Sequence, residues 1–212
     1  EGYDVEIYNQ DKHHYPDEHL TEHLDKNNFD IIGVSVIAGY YQYRKLLKIS
    51  DAINRSKNRP FYIIGGHGPA PEPEFFLKKT QADVVVIGEG EVTIVELLDT
   101  IKNRKPLDTV KGIAFQKEGK VVINERRPLI NDINSLPMPA YDLFPVDYYR
   151  LLRMPHTINS DFVMPMISGR GCKFTCNFCY RMDKGFRPRS NEAIIEEIKL
   201  LKKNYGITYI AF

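Results

Sequence analysis

The chain has 212 residues, 42% of them hydrophobic and 27% charged, with 29 basic against 28 acidic side chains and 3 cysteines. That length fits one large domain, or one medium domain and part of another. A net charge of +1 argues against a role in coating nucleic acid or anionic membranes, which needs an excess positive field or a polybasic block, and the apolar content argues against disorder. No stretch approaches the roughly 18 apolar residues of a membrane span. The first residues, Glu1-Gly2-Tyr3-Asp4, lack the basic start and apolar run of a secretory signal, so the cytoplasm is the expected compartment.

Residues 1–104 alternate short β-branched runs with longer segments of helical period, the pattern of an α/β unit with a mostly parallel sheet. Val5 and Ile7 read as a first strand, and a weak helix follows over 16–26. Residues 30–36 (DIIGVSV), 60–64 (PFYII) and 82–87 (ADVVVI) read as three further strands, apolar on both faces as in a sheet covered by helices. Between them Tyr43, Leu46, Leu47, Ser50 and Ile53, and later Ile94, Leu97, Leu98 and Ile101, recur at three- and four-residue intervals and predict amphipathic helices; a short helix follows Pro71. Residues 111–116 and 120–124 read as a hairpin, with Gly119 supplying the positive φ of its turn.

Residues 125–160 carry five prolines and little periodicity, so they read as a connecting segment whose Tyr141, Phe144, Tyr148 and Tyr149 give it something to pack with. A second ordered region starts near Phe162. A strand over 163–167 leads into the cysteines, Ser190 caps a helix with Ile194, Ile195, Ile198 and Leu201 on one face, and a strand opens at Ile207. The expected organisation is a domain over 1–108, a hairpin and proline-rich linker over 109–160, and a further domain from 161 to 212.

The sharpest signal is Cys172-Lys173-Phe174-Thr175-Cys176-Asn177-Phe178-Cys179-Tyr180. Three cysteines within eight residues cannot all pair, and their spacing is that of metal ligands. Glycines before them let the backbone wrap closely around a ligand. Thiolates suit zinc or an iron–sulfur cluster. Structural zinc, completed by His156, is one reading, although zinc motifs usually pair two C-x-x-C halves. An electron-transfer cluster normally takes four thiolates. Three leave one iron of a [4Fe-4S] cluster open to a substrate or cofactor.

CKFTCNFCY resembles the cluster loop of radical S-adenosylmethionine enzymes. The resemblance implies that Cys172, Cys176 and Cys179 hold a [4Fe-4S] cluster whose open iron is chelated by the methionine moiety of S-adenosylmethionine, which reduction then cleaves to a 5′-deoxyadenosyl radical. It places Phe178 against the adenine, and Arg170, Lys173 and Arg181 near a cluster carrying thiolate charge. It also implies a reduced flavodoxin or ferredoxin as electron donor and a small-molecule or macrocyclic substrate.

Gly65-Gly66-His67-Gly68-Pro69 and Gly88-Glu89-Gly90-Glu91 follow two of the parallel strands, at the ends where open α/β sheets bind ligands. Paired glycines let backbone approach a flat cofactor, and amides at a helix start meet an anionic group. Taken with residues 83–91 and 136–145 (LPMPAYDLFP), almost the whole chain is similar to the cobalamin-binding radical S-adenosylmethionine enzymes. That implies a flavodoxin-like cobalamin domain, a linker, then the first β/α unit of a partial TIM-like barrel. The positions matching loops that contact the cobalamin nucleotide tail are Ser35, Val36, Gly65, Gly66, His67, Gly68, Gly88, Glu89 and Gly90. The implied reaction is methyl transfer to an unactivated carbon, with radical cyclisation, or a non-catalytic cobalamin- or zinc-binding module, as alternatives.

The amino end departs from the pattern. In the flavodoxin-like order 2-1-3-4-5 the strand at Val5 would be the second, and the first, with its base-off DxHxxG motif, is expected before residue 1. Asp11-Lys12-His13 fits DxH, but position 16 is Pro16, so these residues read as loop. His67 is a weak candidate for axial ligation, and His19 and His23, four apart, read as surface. The chain is thus expected to be a piece cut at both ends.

Overall fold

The computed structural model describes residues 2–151, 153–179 and 184–212, which fall into two compact units, one over 15–130 and the other combining the first 14 residues with 131–212. The strand expected at Val5 and Ile7 does not form. Those residues are irregular, Val5 is exposed, and the chain goes on into a short helix α1 (Gln10–His13), where Asn9 caps the amide of Lys12 at 2.9 Å. Two β-branched residues flanked by Asp4 and Glu6 have no ladder to hold them straight, because strand geometry is stabilised by a hydrogen-bonded neighbour.

In the unit over 15–130, α2 (His19–Lys26), β1 (Ile31–Ser35), α3 (Tyr40–Arg55), β2 (Phe61–Gly65), α4 (Pro73–Thr80), β3 (Val84–Val86) and α5 (Gly90–Lys102) alternate as expected. Strands β1, β2 and β3 run parallel, and β4 (Ile113–Lys117) and β5 (Lys120–Ile123) extend them antiparallel, giving the sheet order β1-β2-β3-β4-β5. The hairpin, grouped by sequence with the linker, is therefore hydrogen-bonded into the sheet. Its turn is two residues long, with both Glu118 (φ 51°) and Gly119 (φ 76°) left-handed, the conformation that matches strand twist. Ile63, Val84, Val86, Leu97, Val110, Ile113 and Phe115 form the core. Helix α2 is shorter than its periodicity suggested. It starts at His19 because Pro16 leads into a turn, its carbonyl accepting from the His19 amide at 3.1 Å.

In the other unit, β6 (Val163–Pro165) pairs parallel with β9 (Tyr209–Ala211) across helix α6 (Asn191–Tyr205), a β/α unit as expected. Ser190 Oγ caps α6 at the Ala193 amide, and Gly206, with φ 70°, ends it. Between β6 and α6 the chain makes a second hairpin, absent from the expected elements, β7 (Gly169–Cys172) against β8 (Gly185–Pro188). The core is Val146, Phe162, Met164, Met166, Leu201 and Ile207. Tyr141 and Tyr149 of the connecting segment pack against it, whereas Phe144 is exposed.

Candidate functional site: glycine loops and a cysteine hairpin

Three loops leave the carboxyl ends of β1, β2 and β3, and two of them are stitched together. The Val36 amide donates to Gly65 O at 2.9 Å, the Gly68 amide to Val36 O at 3.1 Å, and the Ala70 amide to Gly66 O at 3.2 Å. Gly66 sits at φ +97°, where a Cβ would lie 2.5 Å from Val36 O and 3.2 Å from Ser35 Oγ, so only glycine fits. Ser35, Val36, Gly65, Gly66 and Gly68 are thus gathered in one structure. Val36 is spent on it, with a buried side chain and both backbone groups engaged, while Ser35 and His67 are exposed.

The third loop differs. Gly88, at φ +86°, and Gly90 have open space where a Cβ would stand. Glu89 precedes α5 and its carboxylate accepts from the Ile130 amide at 2.7 Å, so it ties down the segment after the hairpin. Arg127 joins the same tie: its Nε donates to Thr93 Oγ1 at 2.8 Å and its guanidinium pairs with Glu96. Ile37, Tyr40 and Tyr41, three large apolar side chains exposed just beyond β1, stand outside the expected set of site residues. Their signal was an apolar run directly after a strand end, at the edge where α/β sheets meet ligands. His19 stacks on Tyr15 at 3.8 Å between ring centroids, and His23 lies 6.1 Å from His19, so both belong to an aromatic stack.

The cysteine segment is built differently. Gly171 faces Gly185 and Gly169 faces the Phe186 ring so closely that a Cβ at either would collide, so the glycines here serve the approach of β7 to β8. Cys172 ends β7 opposite Gly185, and the Cys179 amide donates to Cys176 O at 3.3 Å. All three thiols are free and exposed, and Phe178 is 97% exposed. Among the described residues no three His, Cys, Asp or Glu side chains are gathered so as to hold a metal ion, His156 included. Arg181 lies outside the described residues. Arg170, two residues before Cys172, stands opposite Arg187 across the hairpin, so two cationic residues face each other in register. The donor chemistry fits a cluster of three thiolate ligands, and thiols left uncommitted on a hairpin tip are gathered by a metal when it binds.

Behind that hairpin lies a buried polar group with no counterpart in the sequence reading. Glu197, 2% exposed, pairs with Arg189 at 2.5 Å and accepts from the Tyr141 hydroxyl. Burial and then the neighbouring Glu197 carboxylate push the Tyr141 hydroxyl well above its ordinary range. The signal was present: a glutamate beside Ile194, Ile198 and Leu201 on an otherwise apolar helix face.

Residues 1–98 match the B12-binding domain family. The fold resembles the cobalamin-dependent S-adenosylmethionine radical enzyme OxsB, with a TM-score of 0.70 and 25% identity over 92% of this chain and 27% of that one. It also resembles the radical S-adenosylmethionine methyltransferase TsrM of Kitasatospora setae, at 0.71 and 16% identity over 99% of this chain and 41% of that one. In sequence the chain is 32% identical to an uncharacterized methyltransferase of Pyrococcus horikoshii over 91% of its own length and 41% of the relative's. It is 27% identical to the anaerobic magnesium-protoporphyrin IX monomethyl ester cyclase of Rubrivivax gelatinosus over 85% of this chain and 32% of the cyclase. The chain is therefore similar to the B12-binding domain family over residues 1–98 and is built like part of OxsB and TsrM, and it spans less than half of each of these relatives. No helix among the described residues is long and apolar enough to cross a membrane.

Proposed function

We propose that this chain supplies the cobalamin-binding domain and the cluster loop of a radical S-adenosylmethionine enzyme that transfers a methyl group to an unactivated carbon. One observation carries the reading: in one chain, glycine loops stitched at the carboxyl ends of parallel strands accompany three free, exposed thiols in CxxxCxxC spacing on a hairpin after β6. When bound, the cluster and cobalamin would supply reductive cleavage of S-adenosylmethionine and methyl transfer. The protein's own part is to hold and orient. Cys172, Cys176 and Cys179 would give three thiolates, leaving one metal position open, and Phe178, standing in solvent, is free to cover the adenine. Ser35, Gly65, Gly66, His67, Gly68, Gly88 and Gly90 would line the nucleotide tail of cobalamin. Glu89 and Val36 act from behind, as the supports of that lining. A reduced flavodoxin or ferredoxin would deliver the electron, in the cytoplasm, to an enzyme acting on a small-molecule or macrocyclic substrate.

The test is anaerobic reconstitution of the chain with iron and sulfide, alongside a cobalamin titration. Broad visible absorption that bleaches with dithionite, together with saturable cobalamin binding, is the expected result. A colourless protein holding one tight zinc would overturn the cluster and leave a binding module. Radical cyclisation is the second reading, favoured by the similarity to the cyclase of Rubrivivax gelatinosus. A methylated product and a ring-closed product distinguish the two in assays of the parent enzyme.

A further inference from the structure

The excursion that bears the cysteines sets out after Ile167, two residues beyond β6, and comes back at Arg189, and Arg189 closes its neck. Its backbone amide donates to Ser168 O at 2.9 Å, and its Nη1 donates to Ile167 O at 3.1 Å while standing 2.5 Å from Glu197 Oε2. Its Nη2 reaches Ala193 O at 3.4 Å. The other oxygen of Glu197 accepts from Tyr141, in the connecting segment. Both strands of the neck therefore meet at Arg189, and Glu197 of helix α6 joins Arg189 to the segment at 141. The pair is deeply buried, with side-chain exposures of 13% for Arg189 and 2% for Glu197. Desolvating two charges is costly, and an apolar pair of similar volume would hold such a core as well or better, so packing alone does not account for it. What an apolar pair lacks is direction: the backbone amide at 189 would still hold Ser168 O, but no side chain would grip the Ile167 carbonyl.

We propose that Tyr141, Glu197 and Arg189 form a clasp that fixes the neck of the cysteine hairpin, making them positioning residues for the cluster ligands. In that last step the inference rests on the function proposed above. A role in packing alone would be met by any pair that restores stability. A clasp would not.

The experiment compares wild type, Tyr141→Phe, Glu197→Gln and the double substitution Arg189→Met with Glu197→Met, by thermal melting and residue-resolved amide exchange. In all three variants the amides of residue 189 and of β7 and β8 are expected to exchange about tenfold faster than in wild type. In the double apolar variant the melting temperature stays near that of wild type, and the amides of β6 and β9 stay within about twofold of it. Iron retained against a chelator after reconstitution is expected to be about tenfold weaker in the same variants. Wild-type exchange at the neck of the apolar variant overturns the clasp, as does acceleration spread equally over β6 and β9. Should Glu197→Gln fail to fold, Tyr141→Phe, which removes one hydroxyl, gives the same ratio. If wild type takes up no iron, the cluster reading fails, and the exchange ratio alone decides the clasp.

Discussion

The glycine loops and the cysteine hairpin are both candidate cofactor sites, yet they are finished to different degrees. At the ends of β1 and β2 the backbone is complete: Val36 is bonded to Gly65 and to Gly68, Gly66 is bonded to Ala70, and Gly66 holds a conformation that no other residue would tolerate there. At the hairpin only the neck is complete, and the thiols stand in solvent. A large cofactor gripped by backbone curvature needs that curve in advance, since an unformed loop would lose affinity to ordering entropy. A metal cluster held by thiolates forms strong bonds and can do the gathering itself.

The sharpest way to break this contrast is Cys176→Ala. Loss of one of three thiolates should abolish cluster assembly, read as iron per chain and visible absorbance after reconstitution, while cobalamin affinity stays within about twofold, because the two sites are built from different residues. An equal fall in both would show that the sites are one. Next in size is Gly66→Ala. The added methyl meets Val36 O at 2.5 Å in a left-handed backbone, which should cost about 2 kcal/mol of stability and about tenfold in cobalamin affinity. Gly90→Ala is its control. Position 90 opens α5 with nothing within 4 Å of a Cβ, so stability there should hold or rise by up to about 1 kcal/mol. Any loss of cobalamin binding by Gly90→Ala would then report contact with the ligand instead of strain.

Much of this contrast is legible in the sequence, and for definite reasons. The β-branched runs at 60–64 and 82–87 and the Leu46 and Leu97 helix faces gave strands and helices because burial on both sides of a sheet leaves little choice of residue, whereas the run at 30–36, also a strand, ends up only half-buried or exposed at the sheet edge. Cys172, Cys176 and Cys179 declare themselves by spacing. Three things were hidden. The strand at Val5 depended on a neighbour that local pattern does not record. Glycines 169 and 171 looked like ligand-wrapping residues because nothing local tells a close ligand from a close strand. Glu197 is legible only as a misplaced charge, since Tyr141 and Arg189 reach it through tertiary structure.

A preformed edge needs a rigid sheet beneath it, and Tyr62 tests that. It is fully buried in β2, and its hydroxyl lies 2.8 Å from Ser50 Oγ. Ser50 spends its proton on Leu46 O at 2.8 Å, so Tyr62 donates to Ser50. Burial pushes the phenol up to about 12, against weaker opposing effects of Ser50 and Arg59. The folded state then keeps its proton where the unfolded chain, near 10, has lost it. Stability from this group is complete below pH 10 and drains away between 10 and 12, by about 2 to 3 kcal/mol in all. Tyr62→Phe should flatten that alkaline fall in melting temperature; a fall of unchanged slope would show that Tyr62 does not carry it.

The smallest effect is expected at Asp25, on the far flank of the same unit. Its Oδ1 accepts from Ser56 Oγ and from the Lys57 amide, both at 2.7 Å, tying α2 to the turn that follows α3. The Ser56 hydrogen bond first, with the backbone amides and the Lys57 charge behind it, holds the exposed carboxyl below its usual range of 3.8. A lowered folded value means that the contribution is whole above the unfolded value and is lost as pH falls through the folded one. Asp25→Asn keeps the acceptor and removes only the charge, so wild type should melt slightly higher than the variant at neutral pH. That lead should start to close below about pH 4 and vanish once the carboxyl is protonated in both states. A lead that persists at pH 2 would mean that the shape of the carboxyl, and not its charge, secures the flank.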